Sequence, residues 1–268
     1  MDELILDILQ QLRDGSQGAL DTHQLEMLIN SHNSGIDSSA HSTEREKLIP
    51  KRAILPYFLQ VKQNNDELWQ SWNVTSELEE RFIRSVRMKP RRTASGVATI
   101  TVITRPHTCS SNCIYCPCDL RMPKSYLANE PACQRAELTF FDPYVQVAAR
   151  LQALYQMGHS TDKVELIVLG GTWSDYPESY QYWFIKELFR ALNEWPNSPN
   201  HIKERLNWYT SFGLQNSEEA LSSFVAEQQA AVFDDTATYN QAFHKLYDTS
   251  QPHQSAWSQM QSTYDELV

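Results

Sequence analysis

No apolar run in these 268 residues approaches the length that a bilayer-crossing helix needs. The N-terminus, Met1-Asp2-Glu3-Leu4-Ile5-Leu6-Asp7, has neither the basic start of a secretory signal nor the arginine-rich character of a transit peptide. No membrane partner is therefore expected, and a reducing cytoplasm is the expected location. Cysteine is scarce and odd in number, five in all. That argues against a disulfide framework. Positive charge is in deficit, with 23 Lys and Arg against 33 Asp and Glu and a formal net charge of −10. This balance argues against a generic nucleic-acid binder. No internal repeat is present. The length allows one large domain or two small ones, and 41% hydrophobic residues are ample for a core.

The basic residues are concentrated. Arg81, Arg84, Arg87, Lys89, Arg91 and Arg92 follow one another with no acid among them. Such a stripe docks phosphates even on an acidic protein. Its plainer reading is a solvated helix face running into a loop.

Residues 1–88 read as helical. Leu4, Ile5, Ile8, Leu9 and Leu12 share a helix face. Thr22 can cap a second helix carrying Leu25, Leu28 and Ile29. Ser31 to Ser42 reads as a loop. Helical signal resumes at Leu55–Leu59 and from Ser76 to Val86, and Lys89-Pro90 ends it. The pattern changes at Gly96, where a β-branched run to Thr104 predicts a strand. Asp142-Pro143 opens a helix, and Gly158 is placed to end it. Val164–Leu169 is a mostly apolar run that suits a buried parallel strand. Gly170-Gly171-Thr172 follows it, and Pro177 opens another amphipathic helix. Strand, loop, helix, strand, loop, helix is the start of an α/β barrel or open sheet. Beyond residue 200 the chain is polar and helical, with one weak strand candidate at Leu206–Phe212.

Three cysteines stand out. Cys109, Cys113 and Cys116 are spaced Cys-x3-Cys-x2-Cys, directly after the first predicted strand. Three thiolates are one short of a closed structural zinc or ferredoxin site. Ligand count and softness favour a 4Fe–4S cluster with one iron open to a small molecule. A zinc knuckle closed by Cys118, Cys133 or His107 is the competing reading. For Gly170-Gly171-Thr172 alone the plain reading is a tight turn, for Tyr115 loop packing, and for Lys163 a surface lysine before a strand. His107 and His159 read as structural rather than ligating.

The flanking sequence is more specific. It reads Lys89-Pro90-Arg91-Arg92-Thr93-Ala94-Ser95-Gly96-Val97, then Arg105-Pro106-His107-Thr108-Cys109, then Cys113-Ile114-Tyr115-Cys116-Pro117. Arg121-Met122-Pro123-Lys124, Gly158-His159-Ser160-Thr161-Asp162-Lys163 and Gly170-Gly171-Thr172-Trp173 come next in order. This series resembles the bacterial form of the Elongator catalytic subunit, a family of radical S-adenosylmethionine (SAM) enzymes that carboxymethylate the wobble uridine of tRNA. The resemblance is dense from about Lys89 to Trp195 and fades after Asn200.

The resemblance implies an N-terminal helical region, 1–88, that contacts tRNA. It implies a partial, incomplete radical SAM βα barrel over 89–268, with two βα units at about 96–195 and a mainly helical tail. Cys109, Cys113 and Cys116 would hold the 4Fe–4S cluster. Gly170, Gly171, Thr172 and Tyr115 would bind SAM, and Lys163 would contact acetyl-CoA. Arg84, Arg87, Lys89, Arg91 and Arg92 would meet tRNA, with Arg105 and Lys124 as further cations near the site. Cys118 and Cys133 fall on no ligand position. An electron donor for the cluster is implied as well. Family members carry more barrel and then an acetyltransferase domain, neither recognisable here. The chain is thus expected to be an N-terminal portion that needs a complementing C-terminal half or a second copy, and an open half-barrel would expose the apolar edge of its sheet.

Overall fold

A computed structural model describes residues 1–15, 18–34, 48–111 and 113–265. They form two compact units, Met1–Ala98 with Ala153–Lys163, and Thr99–Gln152 with Val164–Val268.

The first unit is helical, as its sequence pattern predicts. Helix α1 (Asp2–Asp14) buries Leu4, Ile5, Ile8, Leu9 and Leu12. Helix α2 (Thr22–Asn33) is capped by Asp21 rather than Thr22. The Asp21 carboxylate accepts from Gln24 N at 2.8 Å, and Gln24 Oε1 accepts from Asp21 N at 2.9 Å. This reciprocal box satisfies two orphan donors at once, which the Thr22 hydroxyl alone does not do. The loop expected at Ser31–Ser42 lies mostly outside the described residues, and its first residues finish α2. Helices α3 (Lys51–Asn64), α4 (Asp66–Ser71) and α5 (Ser76–Val86) complete the unit. Phe58 is its centre, with ring centroids 4.1 Å from Phe82 and 6.0 Å from Trp72. Lys89 then turns left-handed at φ +51°, and Pro90–Thr93 makes one tight 3₁₀ turn.

Strand β1 (Ala98–Ile103) and strand β2 (Val164–Leu169) form one two-stranded sheet. Ala98 N bonds Lys163 O at 2.8 Å, and Thr104 N bonds Leu169 O at 3.0 Å. The register advances equally along both strands, so they are parallel. Helix α6 (Pro131–Leu138) and helix α7 (Pro143–Gln156) lie between them in sequence, and α7 is the crossover helix. Asp142 caps α7 by accepting from Val145 N at 2.9 Å. Gly158, left-handed at φ +83°, stops the chain beyond it, and a Cβ there would stand 3.1 Å from Leu55. The buried Gln146 amide accepts from Ile103 N at 2.9 Å and donates to Ile103 O at 3.0 Å. It satisfies the backbone of β1 where a further strand would otherwise pair.

The expectation of an α/β fold is met by this single strand–helix–strand unit. Two expectations fail. β2 is not a buried strand, because Glu165, Ile167 and Val168 are exposed and no further strand pairs with it among the described residues. Its apolar sequence therefore lies open to solvent. The weak strand candidate at Leu206–Phe212 is helical instead: all but its last residue lie in α9 (Ile202–Ser211), and Phe212 follows the helix end. The reason is a polar network read at helical spacing. Arg205 and Tyr209, one turn apart, both reach the buried Asp142 carboxylate, at 3.0 and 2.8 Å. Arg205 also pairs with Glu187 at 2.8 Å, on helix α8 (Glu178–Asn193).

The remaining chain forms α10 (Glu218–Phe233), α11 (Tyr239–Phe243), a wide turn at His244–Asp248 and α12 (Gln251–Asp265). Val225, Tyr239, Phe243 and Tyr247 pack with Leu120 in one cluster. This tail supplies partners to a long irregular segment. Gln229 bonds Leu120 N and Cys118 O, both at 2.8 Å. Tyr239 donates to Met122 O at 2.9 Å, and Tyr247 to Leu120 O at 2.8 Å. Residues 118–122 form no strand or helix, so buried backbone groups there need these side chains.

Candidate cofactor site

The loops after β1 and β2 meet at the same end of the sheet. Parallel pairing dictates this, since both strands point the same way. Cys109 Sγ lies 3.4 Å from Thr172 Oγ1. The cysteine-bearing loop is held at its start by residues on both sides. Asn240 clamps Cys109 by accepting from its N at 3.1 Å and donating to its O at 2.8 Å. The Asp175 carboxylate accepts from Ser110 N at 2.7 Å, a bond that keeps it below its ordinary pKa. His107 Nε2 faces Asp175 O at 2.9 Å. Burial, with repulsion from Arg105, pushes His107 down to about 4. It is a neutral, loop-ordering residue, as its position before the first cysteine predicts.

The three thiols differ in setting. Cys109 is buried, Cys116 half-buried and Cys113 exposed. Cys116 Sγ faces Ser125 Oγ at 3.0 Å. Between them Ile114 is fully exposed and Tyr115 nearly so. Among the described residues no three His, Cys, Asp or Glu side chains converge as a metal-binding group. The donor chemistry nonetheless fits an iron–sulfur cluster: three soft ligands, with Cys109 beside the Thr172 hydroxyl and the Asp175 carboxylate and Cys116 beside the Ser125 hydroxyl. Cys118 donates its S–H to Cys116 O at 3.4 Å, and burial raises its pKa. Cys133 is buried on α6 against Ile103 and Met122, with its thiol pushed up to about 12, chiefly by burial.

Gly170 and Gly171 line an open cavity of about 360 Å³ with Thr104, Tyr126, Leu169 and Trp173. Their roles separate. A Cβ at Gly170 would stand 2.0 Å from Thr104 Oγ1, whereas one at Gly171 would meet nothing nearer than 3.9 Å. Thr104 is fixed in turn by Tyr176, whose hydroxyl lies 2.7 Å away. Tyr115 is not among the residues lining this cavity.

The predicted cations differ in setting. Lys163 is exposed, with its carbonyl committed to Ala98. Lys89, Arg91 and Arg92 are exposed on the 3₁₀ turn. Arg84 pairs with Glu80 within α5, while Arg87 is half-buried. Lys124 is buried and donates to Ser111 O at 3.3 Å, inside the cysteine loop. Arg105 stacks on Trp257, 3.7 Å from its ring centroid, and on Tyr180 at 4.9 Å. Those two cations serve the fold around the loop rather than its surface. Asn240, Asp175 and Gln229 had no signal in the sequence, because each acts through a backbone group more than 60 residues away.

No protein-family profile matches the chain. A curated tRNA uridine(34) acetyltransferase of Methanocaldococcus infernus is 41% identical over 139 residues, 50% of this chain and 26% of that protein. The protein of that name from Dehalococcoides mccartyi is 48% identical over 105 residues, 39% of this chain and 23% of its own. Elongator complex protein 3 of Schizosaccharomyces pombe is 41% identical over 127 residues, 43% and 23% respectively. The chain spans about a quarter of the length of these relatives. Over about half of its own length the chain is thus similar to proteins named tRNA uridine(34) acetyltransferase and Elongator complex protein 3.

Proposed function

We propose that this chain forms the cluster-holding part of a radical SAM enzyme that carboxymethylates carbon 5 of uridine 34 in tRNA. Acetyl-CoA is the co-substrate, and a partial βα barrel is the frame. The observation that carries the reading is the meeting of Cys109 and Thr172, 3.4 Å apart on loops from two parallel strands. Active sites of α/β enzymes are built at that end of the strands. The similarity to proteins named for uridine(34) supports the substrate.

In this reading Cys109, Cys113 and Cys116 hold a 4Fe–4S cluster, which when bound supplies the electron that cleaves SAM. Asn240 fixes the backbone of the first ligand and Asp175 that of the next residue, Ser110, so Cys109 is positioned before any metal arrives. Gly171 leaves the β2 loop open to SAM, and Thr172 orders the Cys109 thiol. The exposed Tyr115 covers the adenine side. Lys163 meets acetyl-CoA as a point charge. Lys89, Arg91 and Arg92, with Arg84 and Arg87, meet tRNA phosphates. The missing walls come from a C-terminal half or a second copy, and a separate donor supplies the electron.

Anaerobic reconstitution with iron and sulfide tests the cluster, and incubation with SAM, acetyl-CoA and tRNA tests the chemistry. The expected result is stoichiometric iron and 5′-deoxyadenosine formation. Stoichiometric zinc without iron would end the cluster assignment. Deoxyadenosine without uridine modification, in the presence of the complementing half, would point to another substrate.

A further inference from the structure

A second cavity lies away from the thiols, between α8, α9, α10 and α12. Measured as room for the centre of a water molecule, it is about 60 Å³. A single water needs roughly 10–15 Å³ on that measure, so about four waters or an organic ion of about four or five heavy atoms would fit. The walls are mostly aromatic and aliphatic, including Trp183, Phe224 and Tyr247, with Arg121, Gln215 and His253 as polar members. Arg105 stands among them, held between Tyr180 and Trp257. Its Nε and Nη1 are shielded from solvent and have no hydrogen-bond acceptor among the described residues. Glu137 lines the same cavity; its Oε1 is buried without a hydrogen bond, in an ion pair with Arg121 Nε at 3.9 Å.

Unmade hydrogen bonds on shielded guanidinium nitrogens are costly, and each calls for an explanation. The backbone at the wall carries strain as well. Phe140 and Phe141 are both left-handed, at φ +53° and +57°. That conformation is unfavourable for bulky side chains, and strained residues of this kind cluster at ligand clamps and active sites. We propose that this cavity binds a short-chain monocarboxylate, its carboxylate on Arg105 and its alkyl end against the aromatic wall. A guanidinium matches a carboxylate in charge and donor geometry. The apolar wall rejects inorganic anions, which have no alkyl end to bury. Burial raises Glu137 to about 7, so near neutrality a large fraction of it is protonated and adds little repulsion. The inference stands independently of the cluster and of tRNA.

The test is titration of the full chain with sodium acetate or propionate at pH 7, against sodium chloride at equal ionic strength. Tryptophan fluorescence and saturation transfer to the ligand methyl group report binding. Saturable one-to-one binding of acetate and propionate is expected, with none for chloride or the bulkier pivalate. Arg105→Met should weaken it about ten- to hundredfold, the scale of a lost charge-assisted hydrogen bond. Ala256→Phe, which fills the cavity from α12 and leaves Arg105 in place, should abolish it. Equal responses to chloride and acetate, or no response to either carboxylate, would show that the cavity holds water alone and would overturn the proposal. This arm needs no variant, so misfolding of Arg105→Met leaves it decisive.

Discussion

Thr104 Oγ1 occupies the space that a Cβ on Gly170 would need, at 2.0 Å from its ideal position. Gly170 is therefore required by the packing of one strand end on the other, whatever binds nearby. A Cβ on Gly171, its neighbour, would make only ordinary contacts, with Lys124 N and Tyr176 Oη at 3.9 Å. Of the two adjacent glycines, only Gly170 is required by packing.

Gly170→Ala should lower stability by about 1–3 kcal/mol, the usual range for overpacking a filled site. Gly171→Ala should change stability by less than about 0.5 kcal/mol and weaken SAM binding to the reconstituted protein. Urea unfolding and calorimetric titration check both. Equal destabilisation by both substitutions would remove the distinction.

Cys113→Ala should abolish iron loading while Cys118→Ala and Cys133→Ala retain it. Cys133, with its thiol pushed up to about 12, should also resist alkylation at pH 8, whereas the exposed Cys113 reacts first. Iron analysis and mass spectrometry of alkylated peptides give the answer. Iron loss from Cys118→Ala equal to that from Cys113→Ala would reassign the ligands.

Arg91 and Arg92 project from the 3₁₀ turn with no ion pair among the described residues. Reversing both to Glu should weaken tRNA binding and lower the slope of log affinity against log salt by roughly one to two units. The same slope in the variant and the parent would return this turn to an ordinary solvated face.

His253 gives a pH dependence with a definite sign. It stacks on Phe224, and burial together with the charge of Arg105 lowers it from 6.5 to about 4. Ser250 Oγ lies against its Nδ1 at 2.7 Å, and Tyr247 and Trp257 complete its surroundings. Above pH 6.5 the ring is neutral in both folded and unfolded chains. As pH falls from 6.5 to about 4, only the unfolded chain gains the proton, so stability is lost across that window. Glu137, raised to about 7, acts in the opposite direction as pH falls from 7. The measurement is thus a difference: His253→Phe should lose less stability than the parent between pH 7 and 4.5 in urea titrations. Parallel curves would show that His253 does not titrate this way.

The helical N-terminal region, the parallel strand pair and the two loops at its end were legible in the sequence, because helix periodicity, β-branched runs and cysteine spacing are local signals. Three things were not. The exposure of β2 depends on what lies beside it, and Ile167 and Val168 carry no mark of that. The helix over most of Leu206–Phe212 is set by the reach of Arg205 and Tyr209 to Asp142, a long-range pairing that outweighs an aromatic, strand-like composition. The frame of the cysteine loop comes from Asn240, Asp175 and Gln229, ordinary polar residues whose partners are backbone atoms far away in sequence.

That frame has a consequence for biogenesis. Asn240, which clamps Cys109 from both sides, is separated from it by 131 residues. Gln229, Tyr239 and Tyr247 hold residues 118–122 from a similar distance. A ribosome adding about 5–20 residues per second exposes the thiols several seconds before their supports exist. During that interval Cys109, Cys113 and Cys116 are an unframed nascent segment, open to any metal or oxidant nearby. The loop therefore takes the shape described here only after α11 has been made, and until then its three thiols meet their surroundings without that frame.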